Sequence, residues 1–147
     1  MVMFMGEYRH NLDAKNRVII PAKFRDGLGE DFVVTKGLDG CLSVYTMEKW
    51  EEILGKLSKI PATMKDARKY IRELSSKALI TSLDNQGRAQ LTQYLLNTAD
   101  ITKAVVIIGV ADHIEIWSEE RWDSYDEEAA ESFEAVAESL TAYLADE

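Results

Sequence analysis

The segment Leu12-Asp13-Ala14-Lys15-Asn16-Arg17 returns as Leu83-Asp84-Asn85-Gln86-Gly87-Arg88, an offset of 71 residues. Further along, Gly37-Leu38-Asp39-Gly40-Cys41-Leu42-Ser43-Val44-Tyr45 aligns with Gly109-Val110-Ala111-Asp112-His113-Ile114-Glu115-Ile116-Trp117. Here the offset is 72, and it still holds at Trp50 and Trp122. One inserted residue between the two blocks accounts for the change. A lone Asp-x-x-x-Arg pair arises by chance about once per few hundred residues of average composition. Two in register with matched flanks are a much stronger signal, so the second half of the chain reads as a diverged copy of the first.

Within each copy the local pattern is the same. Glu7 to Leu12 reads as a short strand with imperfect alternation, and Asp13 to Asn16 as a turn whose Asp and Asn suit local backbone hydrogen bonds. Val18-Ile19-Ile20 is a β-branched run that predicts a strand, and Pro21 fits the start of a short helix from Ala22 to Gly27. Phe32 to Thr35 and Leu42 to Tyr45 are two further strands. The second copy repeats this order with Leu79 to Leu83, a turn at Asp84 to Gly87, Ala89 to Leu91, a short helix, Val105 to Ile108 and Ile114 to Trp117. Gly87 in the slot of Asn16 points to a positive φ at that turn position.

Helices are predicted for the rest. Trp50, Ile53, Leu54 and Leu57 recur at helical spacing in Glu48 to Leu57. Thr63 and Asp66 have the spacing of a capping box ahead of a second helix from Met64 to Leu74, whose Lys65, Arg68, Lys69 and Arg72 form a basic stretch. Phe133, Val136, Ala137, Leu140 and Leu144 trace one stripe of an expected C-terminal amphipathic helix, otherwise rich in Glu.

The formal charge of −9 argues at first against nucleic acid, which needs a basic surface. The charge is unevenly placed, however. Asp112 to Glu147 holds thirteen acids and one base, Arg121. Of the chain's 17 bases and 26 acids, that leaves sixteen bases against thirteen acids in residues 1–111. Tyr8 to Arg25 carries Arg9, Lys15, Arg17, Lys23 and Arg25 against Asp13 alone. A mildly basic body with an acidic tail remains compatible with DNA. No apolar run approaches the roughly 20 residues needed to span a bilayer, and a single cysteine, Cys41, agrees with a reducing compartment. A cytoplasmic address and no membrane partner are therefore expected.

Catalysis finds little to work with. His10 and His113 are the only histidines, and no Cys/His spacing, glycine-rich phosphate loop or serine elbow is present. Neither an enzyme, a cofactor, a metal nor a small-molecule substrate is expected. The repeated hairpin offers binding chemistry instead. A two-stranded ribbon fits the DNA major groove, where an arginine guanidinium at the turn can contact guanine O6 and N7 together. Arg17 and Arg88 sit in that position, with Asp13 and Asp84 able to pre-orient them. Lys15 at the tip, with Arg9 and Arg25, can contact phosphates. The competing reading is that each Asp–Arg pair merely holds its turn together, an ion pair worth under about 1 kcal/mol if exposed. The first copy looks the stronger reader, because Gln86 replaces Lys15 and Thr92 replaces Pro21 in the second.

The run Leu12 to Arg25, with the opening Met-Phe-Met-Gly-Glu-Tyr, the Lys65-Asp66-Ala67-Arg68 stretch, Asp84-x-x-x-Arg88 and Gly109 to Trp117, closely resembles the MraZ family of bacterial transcription regulators. The resemblance implies an α+β fold of two tandem, pseudo-symmetric AbrB-like swapped-hairpin domains. It places them at residues 7–49 and 78–121, with a helical connector at 50–77 and an acidic helix at 122–147. It also implies a nucleoid-associated repressor of its own division and cell-wall gene cluster, assembled as a ring-like homo-oligomer on short G-rich direct repeats of double-stranded DNA. Asp13, Lys15, Arg17, Asp84 and Arg88 match the family's DNA-binding positions, and Asn16 departs from its usual glycine. An oligomeric structural or protein-interaction module without specific DNA binding is the alternative. An antitoxin built on the same hairpin would need a disordered tail, against which the helical stripe from Phe133 to Leu144 speaks.

Overall fold

A computed structural model describes residues 2–145. The chain runs β1 (Phe4–Asn11), β2 (Arg17–Ile19), α1 (Ala22–Leu28), β3 (Asp31–Lys36), β4 (Leu42–Thr46), α2 (Met47–Leu57), α3 (Lys65–Ser76), β5 (Leu79–Ser82), β6 (Arg88–Gln90), α4 (Gln93–Thr98), β7 (Ala104–Ala111), β8 (His113–Ser118), α5 (Glu119–Glu131), α6 (Phe133–Ser139) and α7 (Thr141–Leu144). The fold is mixed α+β, and the order β-β-α-β-β-α occurs twice. Each repeat passes from its last strand into a helix through a hydroxyl cap. Thr46 Oγ1 accepts from Lys49 N, and Ser118 Oγ, its counterpart 72 residues on, accepts from Arg121 N. Each cap satisfies a helix donor that would otherwise have no partner.

The halves are interwoven. Six antiparallel strands form one sheet in the order β1-β7-β8-β4-β3-β5. The first strand of each half thus pairs with the third strand of the other, Tyr8 opposite Ile107 and Ile80 opposite Val33. β2 and β6 pair with each other as a separate two-stranded ribbon, Val18 opposite Ala89.

Alternation along the sheet strands gives three layers. Phe32, Val34, Leu42, Val44, Val105, Ile107, Ile114 and Ile116 point to one face. There they meet Val18 and Ile20 of the first hairpin, Ala89 and Leu91 of the second, and Phe24 and Leu95 of α1 and α4. Phe24 is clamped edge-on by Phe4 and Tyr8, at centroid distances of 5.7 and 5.4 Å. The opposite face carries two smaller clusters. Val33 packs with Trp50 of α2 and Leu74 of α3, while Val106, Ile108 and Trp117 pack with Trp122 of α5.

Three local expectations are corrected. The first strand begins at Phe4 and not Glu7, because pairing with β7 runs its whole length from Phe4 opposite Ala111. The Thr63–Asp66 capping box does not form. Met64 N instead bonds Pro61 O at 3.0 Å in a tighter turn, α3 starts at Lys65 without a side-chain cap, and Arg68 Nη1 donates to Ala62 O at 2.9 Å. The C-terminal stretch is helical from Glu119 but broken at Ser132 and Leu140. The Ser132 hydroxyl donates back to Glu128 O at 3.0 Å and that of Thr141 to Glu138 O at 2.7 Å, competing with the helical ladder. Asp146 and Glu147, part of the expected terminal helix, lie outside the described residues.

Candidate nucleic-acid interface

Asp13 closes its turn with a single carboxylate. Oδ1 accepts from Lys15 N and Arg17 N, both at 2.9 Å, and Oδ2 accepts from Arg17 Nε at 2.6 Å. The backbone closes the same loop, Asp13 N to Arg17 O at 3.0 Å and Asn16 N to Asp13 O at 3.1 Å. The second turn is its replica. Asp84 Oδ1 accepts from Gln86 N and Arg88 N at 2.9 Å, and Oδ2 from Arg88 Nε at 2.8 Å. The contrast expected between a strong and a weak copy is therefore absent from the turn geometry. Asn16 at φ 60° and Gly87 at φ 75° take the left-handed position that each turn needs.

Both carboxylates are held below the usual Asp range. At Asp13, loss of hydration pushes upward but is outweighed by the Arg17 and Lys15 donors. At Asp84 the Arg88 amide is the largest influence, followed by opposing desolvation and then the Arg88 side chain. The two turns also hold one another. Ile20 N donates to Gly87 O and Leu91 N to Asn16 O, each at 2.9 Å, and Arg88 Nη1 reaches Asp13 Oδ2 at 3.5 Å.

Register then fixes what the ribbon presents. Arg17 lies opposite Gln90 and Ile19 opposite Arg88, while the alternate pair Val18–Ala89 is buried. Arg17, Ile19, Arg88 and Gln90 thus share the outer face, with the two arginines on a diagonal whose Cα separation is about 7–8 Å. Their side chains are 26% and 23% exposed, so the stems are packed while the tips stay reachable. Asp13 and Asp84 occupy the Nε atoms, and Arg88 Nη1 turns toward Asp13. Among the described residues Arg17 Nη1 and Nη2 have no hydrogen-bond partner.

The remaining candidates are distributed differently. Lys15 is exposed at the tip of its turn. Arg25 joins the site as a brace, its Nε donating to Ile20 O at 2.8 Å and its guanidinium lying where a Cβ on Gly87 would stand. Across the pseudo-symmetry, Asn16 Nδ2 donates to Gln93 Oε1 of α4 at 3.2 Å. Arg9 is not brought to the hairpins. It lies on the opposite face of the sheet with Asp123 at 2.8 Å, Glu7 at 3.2 Å and Glu119 at 3.3 Å, and these acids, Asp123 foremost, raise its pKa. Ile19 and Gln90 were not singled out from sequence. Strand alternation from Arg17 and Arg88 is the signal that places them on the outer face.

Paired Asp-turn-Arg hairpins on one face of a sheet shared by two sequence repeats define a duplicated α+β protein with a displayed, pre-oriented arginine pair. Residues 3–73 and 75–143 each match the family model described as "MraZ protein, putative antitoxin-like", and the chain belongs to the MraZ family. It is 49% identical over 138 residues to the "Transcriptional regulator MraZ" of Ligilactobacillus salivarius, covering 94% of this chain and 96% of that one. It is 51% identical over 139 residues to the protein of that name from Clostridium tetani, covering 95% and 97%. The protein of that name from Lactobacillus gasseri is 51% identical over 138 residues, covering 94% and 96%.

Proposed function

We propose that the chain is a sequence-specific DNA-binding regulator that lays the β2–β6 ribbon into the major groove. The observation that carries this is the pair of outward arginines, each fixed through Nε by its own aspartate. Fixing Nε leaves Arg17 Nη1 and Nη2 for a bidentate contact with guanine O6 and N7, and Arg88 Nη2 beside an Nη1 that also reaches Asp13 at 3.5 Å. Two arginines about 7–8 Å apart span roughly two base-pair steps of about 3.4 Å each, so they read bases close together in one groove. Ile19 between them offers an apolar contact for a thymine methyl, and Lys15 a phosphate contact. The relatives named as transcriptional regulators support the same reading. A swapped-hairpin, AbrB-like description of each half is supported by the exchange of β1 and β5 between halves. In keeping with the family resemblance, the regulator represses its own gene cluster from G-rich direct repeats, acts at the nucleoid and works as a homo-oligomer rather than as an enzyme.

Footprinting on the DNA upstream of its gene across a salt series is the direct test. Protection of evenly spaced repeats, lost on Arg17→Ala with the fold intact, is the expected result. The second reading, a structural module, is favoured by one observation: both Asp–Arg pairs are short and satisfied within their own turns. It requires instead that Arg17→Ala lower the melting temperature and that no duplex be retarded at moderate salt.

A further inference from the structure

A cleft opens on the sheet face turned away from the hairpins. Leu42, Val44, Ile114 and Ile116 face the hairpin layer, so the residues that alternate with them, Ser43, Tyr45, His113 and Glu115, point to the other side. These four floor the cleft, with Ser43 opposite Glu115 in the β4–β8 pairing. The β3–β4 turn forms one wall, and α3 forms another with Tyr70, Glu73 and Leu74. The cavity measures about 430 Å³, within the roughly 300–1,000 Å³ typical of small-molecule sites.

The internal repeat shows that the fold alone does not dictate this lining. Ser43 and Glu115 are equivalent positions, 72 residues apart, so β4 and β8 pair about the pseudo-two-fold. Across it, Lys36, Asp39 and His113 of the cleft correspond to Ile108, Ala111 and Cys41. The backbone is retained, with Asp39 at φ 66° and Ala111 at φ 60°. On that side Trp117, the counterpart of Tyr45, is sealed under Trp122 and Tyr125 at centroid distances of 5.3 and 5.0 Å. One copy of the surface is therefore closed and apolar, whereas the other is open, aromatic and charged.

The charges in the cleft are not balanced. Lys36 Nζ is held by Glu73 Oε1 at 2.7 Å, and the two ring nitrogens of His113 are held by Asp112 and Glu115. Glu73 Oε2 and both carboxylate oxygens of Asp39 have no hydrogen-bond or ion-pair partner among the described residues. An anion would find the cations occupied, while a cation finds free acceptors. Among the described residues no three His, Cys, Asp or Glu side chains gather as a metal site, which leaves a larger cation. Tyr45 and Tyr70 suit an organic one, because an aromatic face attracts a cation held within about 6 Å of its centre. We propose that the cleft binds a small organic cation, an ammonium or guanidinium group on an apolar body. The charged head lies at Asp39 and Glu73, and the body lies against Tyr45, Tyr70 and Leu74. This site stands independently of what the hairpins bind.

The test is calorimetric titration of the full chain, without DNA, using phenethylamine and its neutral isostere phenethyl alcohol. The amine should saturate one site per chain with a Kd below about 1 mM, and the alcohol should bind at least about tenfold more weakly. D39N/E73Q removes both charges and keeps the shape, since Asn tolerates the left-handed turn, and should weaken amine binding about tenfold. Tyr70→Ala, at a position 45% exposed and clear of the core, should weaken it by a similar factor. Glu128→Gln, an acid of α5 that does not line the cleft, should bind like wild type. A titration without saturation, equal affinity for amine and alcohol, or wild-type affinity in D39N/E73Q or Tyr70→Ala overturns the site. An equal loss in Glu128→Gln overturns it too, because the attraction would then belong to the acidic chain at large.

Discussion

At Asp13 and Asp84 one side chain does two things, closing a turn and aiming an arginine, and the distances are nearly the same in both copies. Matched anchoring through Nε predicts comparable loss. Arg17→Ala and Arg88→Ala should each weaken operator binding by about 1–3 kcal/mol, the range for a bidentate arginine–guanine contact, in paired gel-shift titrations. A loss confined to Arg17 would show that the second hairpin serves only the fold. Gly87 is the most demanding residue of the site, since its φ of 75° and the guanidinium of Arg25 both oppose a side chain. Gly87→Ala should therefore destabilise the chain by more than about 1 kcal/mol in urea denaturation, where the same change at an unstrained site would stabilise. Cys41 is the opposite case, a thiol whose pKa burial pushes up and whose Sγ contacts Leu38 O at 3.2 Å while it packs with Val106 and Trp117.

Among the elements, the β7–β8 turn has an electrostatic tie to α2 that sequence could not show. His113 bonds Glu115 at 3.1 Å and Asp112 at 2.9 Å, Asp112 in turn pairs with Lys49 at 3.0 Å, and Tyr45 packs against the imidazole. Glu115 first, then Asp112, raises the His113 pKa above its ordinary 6.5, partly opposed by burial. A raised folded value means the tie is complete below pH 6.5 and is lost as pH rises through the higher folded value. His113→Gln should remove that slope from stability measured between mildly acidic and mildly alkaline pH; a slope that survives would exclude His113 as its source. The strands around Val18, Val33, Val44, Val106 and Ile114 were legible because β-branched runs bounded by turn residues have few other uses. What alternation gives is a face, not a neighbour. That Tyr8 pairs with Ile107 was therefore hidden, and so was the destination of Arg9, whose partners Glu119 and Asp123 are over a hundred residues away. The aspartate–arginine turns could be read because the contacts that close each one span four residues or fewer.

For the whole molecule, layering resolves the charge paradox. The ribbon lies on one face of the sheet and acidic α5 on the other, so the net −9 describes the sum and not the charge of either face. Interweaving also has a cost in autonomy. Residues 1–77 lack β7 for β1, and residues 78–147 lack β3 for β5, so neither piece can complete its sheet. Each fragment alone should show little sheet by circular dichroism, and mixing the two should restore it; a half that folds as a monomer would contradict the exchange. The exchange has one more implication. Two separate copies of a single half, trading strands in this way, would make a particle with a two-fold axis and identical ends, and such a particle has no front or back. Joining the copies in one chain lets the ends diverge, one becoming the basic α2–α3 side and the other the acidic arm. The duplication thereby converts a symmetric unit into one with polarity, whose basic and acidic ends can change independently of each other.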